Sequence, residues 1–517
     1  MKNTKKVVLL PLDERPCNFK FPYQIFHSDD FIIDRIEPLG DKKIPADVRE
    51  VSRMLKEKCK EADIAVLAMD TLLYGGLIPS RLHHFNKEEV MERLNLLREI
   101  KSQNNKLKIY AFQCIMRCPK YSSNDEEPDY YEYCGEQIHQ LGNAIHKEKL
   151  GIPSESEEEV LSQTKKELLS QTKKEELLSQ IKTEDLKDYE NRREFNLSFN
   201  LEVLKLAKEG VLEFLIIPQD DSAPYGYTAM DQVSVRKEIL ESCLSDKVIV
   251  YPGADEVEMT LLSRAMNVVM EKRPKVYVKY ASVHAPYLIP SYEDRSLGET
   301  VRYHIMAAGC IQVDSVAEAD FVLALSAPRG KMLEAASQPA SNTDYDVERN
   351  LTEFVYAIET FISEGKPVTI RDNAYANGSD LELIAILNQK ELLLKVAGYA
   401  GWNTSSNTIG TALAEGVKYL YYGSNKKHME FLLLRYLEDA GYCGFIRKEI
   451  TEKELPALGM NYFDIKEQNG VVSELVKKYL QHFADTKLTS IAKHILIEDI
   501  KMPWRRMFET DITVSYR

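Results

Sequence analysis

The feature that most limits how this chain can fold is an alternation along nearly its whole length. Short apolar runs rich in Val, Ile and Leu are each followed by a stretch of amphipathic helical period. Such runs suit strands covered on both faces, and helices between them imply parallel pairing, because a parallel crossover needs roughly the length of a helix. The pattern predicts strands at Val7–Leu12, Ile32–Ile36, Ile64–Met69, Lys108–Cys114, Phe214–Pro218 and Val248–Tyr251. In the second half it predicts Val276–Tyr280, Ile311–Val313, Phe321–Leu325, Val368–Ile370 and Leu394–Ala397. The fold class is therefore α/β, with mostly parallel sheets and helices on both faces. At 517 residues the chain exceeds what one core usually supports. Two Rossmann-like doubly wound domains are expected, over 1–272 and 273–450, followed by a mostly helical extension over 451–517. A TIM-like barrel with extra elements is the alternative.

The halves resemble one another. Near the first strand the chain reads Leu12-Asp13-Glu14-Arg15-Pro16, then helix, short strand, helix, and Glu61-Ala62-Asp63 before the next strand. Near residue 292 it reads Tyr292-Glu293-Asp294-Arg295, then a helix, a short strand at Ile311, and Glu318-Ala319-Asp320 before Phe321. A duplicated unit predicts this order of elements, and so does the general habit of acids to precede strands. Residues 153–188 stand apart: Leu-Ser-Gln-Thr-Lys-Lys-Glu occurs twice, at 161 and 169, in a segment rich in helix formers. A helical insertion is expected there, as a solvated charged helix or a partner-binding one. The tail Pro503-Trp504-Arg505-Arg506 is read as folding back on a domain.

The formal charge of −14 disfavours nucleic acid or an anionic membrane as the main partner, since both require clustered cations. The apolar run after the basic start is too short for a signal peptide and ends in Asp-Glu-Arg-Pro, and nowhere is there a spanning apolar stretch. The eight cysteines are scattered without a C-x-x-C pair, which fits reduced thiols in the cytoplasm. Oligomeric state does not follow from any of this.

The informative pattern is where acids fall. Strand after strand ends in one: Asp13-Glu14, Asp70, Asp220-Asp221, Asp255-Glu256 and Asp372. In parallel α/β folds these positions converge on the face where ligands bind, and Arg15, Arg295 and Arg371 stand nearby to tune them. Each acid singly also reads as a cap of the following helix, and Glu256 as a first-turn residue favoured by the helix dipole. Asp220-Asp221-Ser222-Ala223-Pro224-Tyr225-Gly226 makes a poor cap and a good ligand loop. Polar loops add candidates: Tyr74 in Leu72-Leu73-Tyr74-Gly75-Gly76, Asn373 beside Asp372, and Trp402, Asn403 and Asn407 in the segment 401–411 ahead of a helix. Their hydroxyls and amides suit a sugar hydroxyl, a carboxylate or a phosphate, with Trp402 as a stacking platform. An ordinary Ser/Thr/Asn-rich helix cap fits 401–411 as well.

Phosphate-binding P-loop, H-E-x-x-H and G-x-S-x-G motifs are absent, and the first strand is followed by acids in place of a dinucleotide turn. No cofactor is implied; Mg²⁺ or Mn²⁺ among Asp70, Asp220, Asp221 and Asp255 is chemically reasonable. His284 and His304 read as packed or exposed histidines rather than ligands.

At these residues the sequence resembles a bacterial family catalogued as domain of unknown function 4127. Five motifs carry the resemblance: Pro11-Leu12-Asp13-Glu14-Arg15-Pro16, Asp70-Thr71-Leu72-Leu73-Tyr74-Gly75-Gly76-Leu77, Gln219-Asp220-Asp221-Ser222-Ala223-Pro224-Tyr225-Gly226, Gly253-Ala254-Asp255-Glu256 and Tyr399-Ala400-Gly401-Trp402-Asn403-Thr404. It spans nearly the whole chain, without the repeated Leu-Ser-Gln-Thr-Lys-Lys insertion, and implies one site built from these loops but no activity. From the residues, the expectation is a carbohydrate-active hydrolase acting on a glycan or small molecule. Asp220, Asp221, Asp255 and Glu256 are its catalytic candidates, and Asp13, Arg15, Asp70, Tyr74, Tyr225, Arg371, Asp372, Asn373, Trp402, Asn403 and Asn407 its substrate-binding ones. Alternatives are a divalent-metal isomerase, epimerase or lyase on a small polyol or sugar acid, and a non-catalytic small-ligand-binding protein.

Overall fold

The computed structural model describes residues 4–152, 174–339 and 341–517. Strands β1 (Lys5–Leu10), β2 (Phe31–Arg35), β3 (Ile64–Ala68), β4 (Lys108–Phe112), β5 (Phe214–Gln219) and β6 (Val248–Pro252) form a first sheet in the order β2-β1-β3-β4-β5-β6. Every pairing is parallel. β3, with the sequence Ile-Ala-Val-Leu-Ala, is buried at all five positions, as helices on both faces require.

The next stretch contributes β7 (Lys275–Tyr280), β8 (Ile311–Val313), β9 (Phe321–Ser326), β10 (Leu333–Glu334), β11 (Val368–Asp372), β12 (Tyr375–Ala376) and β13 (Gly398–Ala400). Five of these make a second sheet, β13-β11-β9-β7-β8, again parallel. Counted by appearance, the first sheet runs 2-1-3-4-5-6 and the second 2-1-3-4-5, the doubly wound order with its switch point between first and third strands. Neither sheet closes, so the barrel alternative is set aside.

Helix Val257–Val269 joins the sheets: it contacts β3 and β4 on one side and helix Ser405–Tyr422 on the other, which in turn lies on β9, β11 and β13. The two helices touch closely at Gly410, where an added Cβ would lie 2.2 Å from Glu256 Cγ. The segment 401–411 is therefore not a long ligand loop. Helix begins at Ser405, and Asn407 is 3% exposed within it. The predicted strand at 394–397 lies before β13, whose buried Gly-Tyr-Ala has no β-branched residue to announce it.

Between β4 and β5 lie helices Tyr131–Leu150 and Thr183–Lys208. Of the predicted insertion at 153–188, residues 153–173 lie outside the described residues, and 174–180 are helical. The extension after 450 contains helix Val471–Lys487 but ends in an antiparallel hairpin, β14 (Ile495–Lys501) with β15 (Asp511–Tyr516). A mostly helical reading missed this hairpin because a bulge between Ile497 and Asp499 breaks the period-two alternation that would have marked it. Among the described residues, no helix is long and apolar enough to cross a membrane. All eight cysteines are free thiols.

Candidate functional site

Loops leaving the C-terminal ends of β1, β4, β5 and β6 meet loops after β7, β12 and β13 around a cavity of about 280 Å³. From the first sheet come Arg15, Arg117, Asp125, Glu126, Asp220, Asp221 and Asp255; the second adds Tyr292, Asn377 and Asn403. The tail closes one side with Tyr462, Arg506 and Phe508.

Arg15 is the hinge of the charged network. Its Nε and Nη2 donate to Asp13 at 2.9 and 2.7 Å, and Nη2 donates again to Asp255 Oδ1 at 2.6 Å. Asn18 donates to the same two acids, and Asn403 Nδ2 donates to Asp255 Oδ2 at 3.0 Å. Asn403 reaches across because its backbone is left-handed, with φ of 53°, a conformation Asn tolerates better than most residues. Asp221 has the same conformation, φ 45°, which turns its carboxylate toward Arg117 Nη1 at 3.1 Å, while Asp220 takes Arg81 Nη2 at 2.7 Å.

Acids outnumber bases here, and the electrostatics follow. Burial, then the neighbouring Asp220, push Asp221 up to about 7. Asp255 also reaches about 7: burial raises it, and repulsion from Asp13 and Asp220 opposes the relief given by Arg15. Burial acts on Glu126 too, but Arg117, Arg506 and Arg81 outweigh it and hold that carboxyl well below the usual range. Two carboxyls poised near neutrality thus share one cavity with a third that stays ionised.

A family model described as a protein of unknown function, DUF4127, matches residues 7–513. The chain belongs to the DUF4127 family. Among curated proteins none matches it.

Within this DUF4127 chain the candidate residues separate into two groups. Arg15, Asp220, Asp221, Asp255 and Asn403 line the cavity, with Asp13 directly behind. The others do not line it. Glu256 is fully buried between the sheets, accepting from Ala254 N–H at 3.0 Å and facing His304 Nε2 at 3.2 Å. Asp70 accepts the Cys114 amide and so ties β3 to the end of β4. Tyr74 stacks on His83, and Tyr225 meets His146 edge-on. Arg371 is buried against Ser405, and Asp372 accepts Asp380 N–H at 2.7 Å and the Tyr399 hydroxyl at 2.9 Å. Asn373 pairs its amide with Ser326, and Trp402 donates to Thr411 with its ring edge-on to Phe21. For these residues the capping and packing roles prevail.

Arg117, Glu126, Arg506 and the aromatic walls went unread in the sequence. Asp125-Glu126-Glu127 comes thirteen residues after β4 rather than next to it, so a search for acids at strand ends passes over it. Arg506 is placed only by tertiary structure. Trp504, itself left-handed at φ 54°, donates to Glu14 and lies under Arg15 and Arg506 at 4.7 and 4.5 Å. The expected fold-back of the tail is this contact. Among the described residues no group of three acids, histidines or cysteines is arranged to hold a metal ion; Asp220, Asp221 and Asp255 are each engaged by arginine instead.

Proposed function

We propose that this DUF4127 chain is a carbohydrate-active hydrolase of the glycosidase type, with Asp221 as general acid and Asp255 as base or nucleophile. The observation that carries the reading is that these two carboxyls, from different strands, face one polar cavity and both titrate near 7. Glycosidic cleavage needs one carboxyl protonated and one ionised at working pH. Asp255 receives hydrogen bonds from Arg15, Asn18 and Asn403, all of which favour its ionised form. Asp221 has a single cationic donor and an acid beside it, which favours the proton. Asn377, Asn403 and Tyr292 offer the amide and phenol groups that read sugar hydroxyls, and Tyr462 and Phe508 offer apolar faces.

Aryl glycosides test it. Asp255→Asn should abolish turnover of every substrate, whereas Asp221→Asn should spare dinitrophenyl glycosides, whose leaving group needs no proton, and lose about 100-fold or more on poor leaving groups. Unchanged turnover in both variants rejects the assignment.

A further inference from the structure

A second pocket lies at the other end of helix Ser405–Tyr422. The helix's N-cap, Thr404, borders the acidic cavity; its C-terminal part, from Glu415 to Tyr422, lines a separate space of about 330 Å³ closed by residues 24–29 and the start of helix Lys426–Arg435. Eighteen residues span about 27 Å, so the two spaces are distinct.

This pocket is rich in donors where the first is rich in acids. Lys418 Nζ donates to the Phe26 carbonyl at 3.2 Å and lies 3.5 Å over the Tyr422 ring. Lys427 reaches the same rim, donating to the His27 carbonyl at 3.3 Å. His27 Nδ1 accepts the Ile33 amide at 3.1 Å, which leaves its proton on Nε2. Glu415, 3% exposed, accepts the Tyr399 amide through Oε2, while its buried Oε1 has no partner. Burial holds that carboxyl well above the usual range, while the nearby Arg435 pulls it down. The acids at the rim are Asp29, which is exposed, and Asp30, which is occupied by Tyr422 and Ser28. Ile25, Tyr419, Tyr422 and Phe431 give the wall its apolar and flat faces, and Lys426 and His428 also line it, His428 Nε2 facing the Ala397 carbonyl at 3.2 Å.

We propose that this pocket is a second ligand site, taking a small molecule with an oxyanion attached to a ring or short apolar body. Lys418, Lys427 and His27 bind the anion, and the tyrosines and Phe431 cover the body. The titration of Lys418 fits: burial, and to a smaller extent Lys427, bring it down to about 8 against the opposing pull of Asp30. Burial, Lys427 and Lys418 likewise lower His27. An anion would relieve that mutual repulsion, so binding takes up protons and weakens as pH rises through 8.

The experiment is calorimetric titration of the full chain with phenyl phosphate, with benzyl alcohol as the uncharged control. Expected are saturable one-to-one binding of phenyl phosphate alone, affinity about fivefold to tenfold weaker at pH 9 than at pH 7, and at least tenfold loss in Lys418→Met. Lys427→Met, at an exposed position, should lose about threefold to tenfold. Asp255→Asn should bind as the unmodified chain does. No saturable binding, undiminished binding in both lysine variants, or loss in Asp255→Asn overturns the proposal.

Discussion

The two sheets share the order of their first five strands and both place acids at strand ends, yet only in the first do some of those acids reach the cavity. After β5 and β6, Asp221 and Asp255 are met by arginine side chains from other loops, which leaves the carboxylates at the cavity wall. In the second sheet, Asp372 is consumed by the Asp380 amide and the Tyr399 hydroxyl, and Glu293 by the amide and hydroxyl of Ser406. Backbone amides draw a carboxylate inward to hold a loop; long arginines can hold one at a cavity. The same residue type at a strand end thus holds a loop where it meets a backbone amide, as Asp372 does, and lines the cavity where it meets an arginine, as Asp221 and Asp255 do. The second sheet's contribution to the cavity is neutral: Asn377, Asn403 and Tyr292.

The largest expected effect sets the sheets directly against each other. Asp255→Ala should lower kcat/KM by about 1,000-fold. Asp372→Ala should leave kcat/KM within about threefold but cost about 2–4 kcal/mol of stability, since it strands a buried amide and hydroxyl. Equal losses of activity in the two variants would break the contrast.

A smaller effect concerns pH. Asp221 titrates near 7 in the fold against 3.8 for an ordinary Asp. The folded state therefore binds the extra proton between about pH 4 and 7, and this group's contribution to stability falls across that window as pH rises. Asp221→Asn should stabilise the protein at pH 8, by at most about 4 kcal/mol, and change little at pH 4; chemical denaturation at both values measures it. A stability difference that does not vary with pH would show that Asp221 ionises normally.

The smallest effect belongs to the second sheet's share of the cavity. Asn403→Gly keeps the left-handed backbone and removes only the amide that donates to Asp255. A fall of about threefold to tenfold in kcat/KM is expected, worth about 1 kcal/mol. An unchanged value would confine the chemistry to the first sheet.

How much of this was legible follows from range. Parallel α/β architecture was readable because burial on both faces writes itself locally, as uninterrupted apolar runs such as Ile64–Ala68. Membership of one site could be read for Asp13, Arg15, Asp220, Asp221 and Asp255, because strand ends converge in any doubly wound sheet. It was misread for Asp70, Asp372, Glu256 and Asn407, since whether a strand-end polar group faces a cavity or a neighbouring amide depends on partners that are distant in the chain. The C-terminal hairpin, Arg117 with Glu126, and Arg506 over the Trp504 ring belong to that class.

What the amino-acid order determined alone was the alternation of buried strands and helices and the strand ends at which acids gather. Tertiary structure decided which carboxylates meet an arginine and which a backbone amide. The physical reason is that hydrophobic period acts over a few residues, whereas the titration of a buried acid is set by every charge and dipole packed around it.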